Sequence, residues 1–195
     1  MNEFLEFLNQ TDHQLFLFLN SLHNGFFDFV MWWISDRFIW FPMYLVFLIL
    51  IVMKFKKRSV LIIVLIGLAI AAADQGSVAM KNYFERLRPC HNEELQPLVH
   101  QVRGYCGGMY SFVSSHASNA FALAGVLIPF LGKHYKYFPH FILIWAFLIG
   151  YSRIYMGAHF PGDVLSGGLF GFTLGFMFSR IYFIAYKDWR PQRTI

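Results

Sequence analysis

Apolar runs recur along this chain, at residues 38–53, 60–79, 117–131, 137–155 and 164–186, each bounded by charge or by Gly and Pro. A helix that crosses a bilayer needs about 20 mostly apolar residues, so these runs read as five membrane-spanning helices. In hydrocarbon the backbone must satisfy its own hydrogen bonds, which makes helix the default for each run. Their number excludes a cleaved signal peptide or a single lipid anchor as the explanation. Composition agrees: of 195 residues, 57% are hydrophobic and only 14% charged, against about 25% charged in an ordinary soluble domain. The fold class expected is all-α. Residues 1–195 should form a single integral-membrane domain, a polytopic bundle of about six transmembrane helices.

The sixth candidate is the ambiguous one. Residues 15–34 are apolar but include Asn20, His23, Asn24 and Asp28, so the stretch either spans with a polar inner face or lies along the interface. In the last run, Gly167, Gly168, Gly171 and Gly175 would let a neighbouring helix approach closely.

Basic residues in short loops mark the cytoplasmic side of a membrane protein. Lys54, Lys56, Lys57 and Arg58 separate the first two runs, and alternate counting puts Lys133 and Lys136 on the same side, with Lys187, Arg190 and Arg193. The connections 80–116 and 156–163 then face outward. The net charge of +5 resides largely in these short clusters and forms no continuous basic face. The partner expected is therefore the lipid bilayer, and nucleic acid is not.

The outward connections collect Lys81, Arg88, His116, Arg153, His159 and Asp163. Any one of these cations could snorkel to headgroups, but several polar groups converging at one membrane face point to a site. Lys81 and Arg88 are seven apart, two turns on one helix face, placed to grip one anion. Ser114 and Ser115 stand just before the run that begins at Ala117. Ser is a favoured N-cap, and a helix start offers free N–H groups to phosphate oxygens. Asp163, four residues beyond His159, can accept from one imidazole nitrogen and leave the other directed at substrate. Asp74, seven before Lys81 inside an apolar run, is read as a buried structural support, and Glu85 and Arg86 as solvated surface.

These segments resemble the signature of the type 2 phosphatidic acid phosphatase family, which includes bacterial membrane lipid phosphatases and diphosphatases and shares its motif with vanadium haloperoxidases. The family pattern is Lys, six residues, Arg-Pro; then Pro-Ser-Gly-His; then Ser-Arg, five residues, His, three residues, Asp. Lys81 to Pro89 and Ser152 to Asp163 match it in full, whereas Val113 replaces the Pro and Ser115 the Gly of the middle segment. The resemblance implies a metal-independent and cofactor-independent phosphatase acting through a phosphohistidine. His159 would be the nucleophile, His116 the proton donor and acceptor, and Asp163 the group orienting His159. Lys81, Arg88, Arg153 and Ser114, with the N–H groups around Ser115, would bind the phosphoryl oxygens. It also implies a membrane lipid phosphate as substrate: undecaprenyl diphosphate first, a lipid A phosphate second, and phosphatidate or phosphatidylglycerol phosphate as further candidates. The location implied is the bacterial cytoplasmic (inner) membrane, with the site facing the periplasm or exterior.

Three other readings compete. His116, His159 and Asp163 could form a two-His, one-carboxylate metal site, but three cations aimed at the same place would repel a divalent ion. A haem protein would need facing histidines, whereas His134 and His140 fall near the inner side and His116 and His159 outside. A non-catalytic phospholipid-binding or transport protein would need the cations alone, and the two histidines argue against it. Cys90 and Cys106 share one external loop and are expected to pair as a disulfide. Gly104, Gly107, Gly108 and Tyr110 in that loop suggest a lid over the phosphate.

Overall fold

The computed structural model describes residues 3–186; the tail cations Lys187, Arg190 and Arg193 lie outside them. Seven α-helices follow one another: α1 (Glu3–Ser21), α2 (Gly25–Ser35), α3 (Phe41–Phe55), α4 (Ser59–Phe84), α5 (Ser115–Leu131), α6 (Phe138–Tyr155) and α7 (Pro161–Ala185). Phe41–Phe84, Phe138–Tyr155 and Pro161–Ala185 are long and apolar enough to cross a membrane, and Ser115–Leu131 is a shorter apolar helix. The first of these stretches turns at Lys56, where φ is +49°. Tyr44, Phe47 and Ile51 of α3 and Ile66, Ile70 and Asp74 of α4 line the same cavity, so the chain folds back at this turn and packs α4 against α3.

At the centre stands α5, buried along most of its length, with α4, α6 and α7 packed against it. Small residues make this possible. A Cβ at Gly171 or Gly175 would run into the backbone carbonyls of Ser118 and Ala122, and one at Gly167 would sit 2.7 Å from the Ser114 oxygen. These glycines, spaced by four along α7, bring the two backbones into direct contact. Large apolar side chains such as Val46, Val64, Leu165 and Leu169 face outward from the bundle, as lipid-facing positions do.

The two ends of the bundle differ. At one, Lys54 lies over Tyr135, Lys133 over Phe183 and Arg58 over Tyr186, while Phe55 packs on Phe130 and His134. The loop basic clusters flagged by sequence therefore share one end. The connections 85–114 and 156–160 occupy the other.

Residues 15–34 do not form one helix. The chain breaks after Ser21, and α2 restarts behind Asn24, whose side chain accepts from the Phe27 N–H. Polar groups of both helices then find partners at the end opposite the basic clusters. Asp12 accepts from the Gly162 N–H, Asn20 bonds the carbonyls of Ile154 and Tyr155, and Asp28 accepts from the Tyr155 hydroxyl. Satisfying these groups lays α1 and α2 across that end, with Phe4, Phe7, Leu8 and Phe18 exposed.

Candidate active site

Three segments meet at the end of the bundle that carries α1 and α2. Lys81 sits in the last turn of α4, which stops at Glu85 in the left-handed conformation (φ +47°). The helix does not reach Arg88, so Lys81 and Arg88 are not two turns apart on one face as expected. Pro89 disfavours helical geometry at the residue before it, and Arg88 is extended (φ −70°, ψ 157°). Its backbone N–H is held by the Met109 carbonyl.

Arg88 is buried, and its Nη1 is shared between the carbonyls of Cys106 and Ala158 and the Nε2 of His159, 3.2 Å away. A guanidinium only donates. Nε2 of His159 must therefore be the accepting, unprotonated nitrogen, which leaves the proton on Nδ1. That atom lies 3.6 Å from Asp163 Oδ2, too far for a direct hydrogen bond. Burial first, then Arg88, Arg153 and Lys81, hold the His159 pKa well below its ordinary value. Burial and Arg153 likewise lower that of Arg88. Such crowding of cations is what a bound anion relieves.

Arg153, in the last turn of α6, is also buried. Its Nη1 bonds Ser35 Oγ of α2, and its Nη2 donates to the Tyr105 hydroxyl at 3.2 Å. The Nζ of Lys81 donates to Ser115 Oγ at 2.5 Å, and that hydroxyl also pairs with Ser77. Ser114 caps α5, its Oγ accepting from the Ala117 N–H, and its own N–H is bonded to the Asp163 carbonyl. The Val113 variation thus leaves Ser114 anchored to α7. His116, in the first turn of α5, lies within electrostatic reach of Arg153, His159, Arg88 and Lys81. Lys81, Arg88, His116, Arg153, His159 and Asp163 are therefore gathered in one place, with the α5 N-terminus beside them.

The segment between the cysteines contributes walls to this place. Cys90 and Cys106 are joined by a disulfide, their Cα atoms 6.0 Å apart. The loop they close brings Tyr105 to Arg153 and the Cys106 carbonyl to Arg88. Gly107, at φ +89°, lies against Arg88, where a Cβ would stand 3.2 Å from Nη1. Tyr110 pairs with Leu87 in an isolated bridge. Among the described residues, the side chains close enough to share a metal ion are Cys90, His91 and Cys106, and there both sulfurs are committed to the disulfide.

Arg86 was expected as solvated surface, and the structure places it elsewhere. Its Nη1 bonds Asp163 Oδ1 at 2.7 Å, its Nη2 bonds Asp12 at 2.8 Å and Asn9 at 3.1 Å, and it stacks over the Phe160 ring. Fully buried Asp163 needs a charge partner, and Arg86 supplies it. Glu85 is exposed. Asp74 bonds Asn119 Nδ2 at 3.0 Å. Arg86, Asp12, Ser77 and Tyr105 were not singled out as site residues because each meets the site across a long stretch of sequence, without motif spacing.

Residues 59–187 match the PAP2 superfamily. The chain is 39% identical over 186 residues to a lipid A 4'-phosphatase of Bacteroides thetaiotaomicron, covering 94% of this chain and 80% of that protein. A lipid A 4'-phosphatase of Porphyromonas gingivalis is 32% identical over 190 residues, covering 95% and 78% respectively. Among solved structures, Aquifex aeolicus LpxE superposes with a TM-score of 0.67 at 28% identity, over 86% of this chain and 93% of that one. The PAP2-type phosphatidylglycerolphosphate phosphatase of Bacillus subtilis shares the fold, with a TM-score of 0.65 at 24% identity, over 99% and 90%.

Proposed function

The chain belongs to the PAP2 superfamily, and from that membership and the cation cluster around His159 we propose a membrane phosphatase that removes a phosphate monoester from lipid A or a like glycolipid. The names of the two relatives matched along most of this chain favour lipid A over the polyprenyl diphosphate that sequence alone ranked first. Phosphatidylglycerol phosphate is the next candidate.

The reaction runs in two displacements. His159 Nε2 attacks phosphorus, the bond to the lipid oxygen breaks, and His116 gives that oxygen a proton. His116 then takes a proton from water, the water oxygen attacks phosphorus, the P–N bond breaks and inorganic phosphate leaves. Lys81, Arg88 and Arg153 neutralise the phosphoryl oxygens, where charge is concentrated during transfer. The N–H groups at the start of α5 add to this cradle. The Asp163 carboxylate, 3.6 Å from Nδ1, favours the proton on that atom through its charge, so that the attacking lone pair stays on Nε2. The orientation of that lone pair toward Arg88 carries the reading. The site then faces the periplasm, opposite the loop basic clusters at the inner surface.

Phosphate release from lipid A, phosphatidylglycerol phosphate and undecaprenyl diphosphate, measured in detergent with chelator present, tests it. Release that persists with chelator, is greatest for lipid A and disappears in His159→Ala is expected. Absence of release from all three, or loss of turnover on chelation, would overturn it.

A further inference from the structure

An apolar cavity of about 500 Å³ lies between α3, α4, α5 and α6, with Ser35, Arg37, Ser115 and His116 also on its wall. From His116 to Leu127 its lining follows three turns of α5, about 16 Å at 1.5 Å per residue. Phe47, Ile51, Ile66, Leu123 and Trp145 form much of the wall. Its size lies within the range of about 300–1,000 Å³ typical of ligand sites. A void of this character, continuous with His116, suits a hydrocarbon chain attached to the phosphate at His159.

One turn below His116 the wall changes chemistry. Asp74 of α4 and Asn119 of α5 both line the cavity, joined by the bond from Asn119 Nδ2 to Asp74 Oδ1. Asn119 Oδ1 is buried without a hydrogen-bond partner among the described residues, and a carboxylate has lone pairs beyond those this bond uses. Both groups thus offer acceptors. Acceptors left inside an apolar wall are costly, and the ligand that satisfies them brings an O–H or an N–H.

We propose that this cavity holds one chain of the lipid phosphate, and that the Asp74–Asn119 pair selects a chain carrying a hydroxyl or amide donor near its polar end. The proposal rests on the phosphatase reading and adds the chemistry of the acyl part. A glucosamine phosphate N-acylated with a 3-hydroxy chain carries both kinds of donor. A polyprenyl phosphate, hydrocarbon from its first carbon, carries neither.

The test uses the full-length protein in detergent and two synthetic glucosamine phosphates: one with an amide-linked 3-hydroxyacyl chain, the other with an ester-linked chain lacking the hydroxyl. The wild-type enzyme is expected to favour the first by at least about tenfold in kcat/KM, since a site built to bond a donor rejects the analogue lacking it. Asn119→Leu should abolish the preference by lowering turnover of the first compound. Equal kcat/KM in the wild type, or a preference unchanged in Asn119→Leu, would overturn the proposal while leaving the phosphatase reading intact. No release from either compound or from undecaprenyl diphosphate would overturn both. Should Asn119→Leu not fold, Leu123→Trp reads the cavity separately: it should raise KM for a long-chain substrate and leave that for a short-chain one in place. An equal effect on both chain lengths would overturn the chain assignment.

Discussion

Arg86 Nη1 stands 2.7 Å from Asp163 Oδ1, and through this contact the segment following α4 is tied to the helix that follows His159. Arg86→Ala removes one charged partner from a fully buried carboxylate and releases Asp12 on α1 as well. We expect kcat to fall by about tenfold or more with KM changing less, and stability in detergent to drop by about 2–3 kcal/mol. Arg86→Lys should restore part of both. Steady-state kinetics and thermal unfolding check this, and wild-type values for Arg86→Ala in both would remove Arg86 from the positioning network.

The pH dependence has a definite sign. The folded protein keeps His159 neutral, because its pKa lies well below the ordinary value, whereas the unfolded chain takes up a proton below about pH 6.5. The stability tied to this ring is therefore fully present above that pH and is lost as pH falls toward the folded-state value. In the proposed mechanism the neutral ring attacks, so the acidic limb of kcat/KM should lie below pH 6.5. Arg88→Gln removes the largest charge acting on the ring and should move that limb upward. A limb that stays put in the variant would contradict the electrostatic account.

Reduction of the Cys90–Cys106 bond reopens a loop that holds Tyr105 and Gly107 against the site arginines. Chain-entropy estimates give about 3 kcal/mol for a loop of this length. Cys90→Ser with Cys106→Ser should lower the unfolding temperature and raise KM for the lipid phosphate. Unchanged kinetics and melting under reductant would show that the loop holds its shape unaided.

Gly171→Ala places a methyl against the Ser118 carbonyl, a backbone atom that cannot swing aside. Overpacking of this kind costs about 1–3 kcal/mol, and the yield of folded protein extracted in detergent should fall. Gly25→Ala, where a Cβ meets nothing within 4 Å, serves as the control.

Legibility in the sequence followed the length scale of each interaction. The helices carrying α3 to α7 were visible because each is a continuous apolar run, and Lys81, Arg88, His116, Arg153, His159 and Asp163 were visible because their spacings are local. The N-terminal stretch was not, since Asn24 caps a new helix and the partners of Asn20 and Asp28, His100 and Tyr155 among them, lie more than seventy residues along. Arg86 was hidden for the same reason: both its carboxylate partners are over seventy residues away. Lys81 and Arg88 illustrate a local pattern misread geometrically, because α4 stops at Glu85, in the left-handed conformation, before it reaches Arg88.

The glycine contacts between α5 and α7 bear on how the two histidines are held. His116 lies in the first turn of one of these helices and His159 two residues before the start of the other, so backbone touching backbone holds the two imidazoles at a set spacing. A Cβ on Gly171 or Gly175 would meet main-chain atoms of α5 rather than side chains that can rotate away, so the spacing is set by the backbone and not by rotamers.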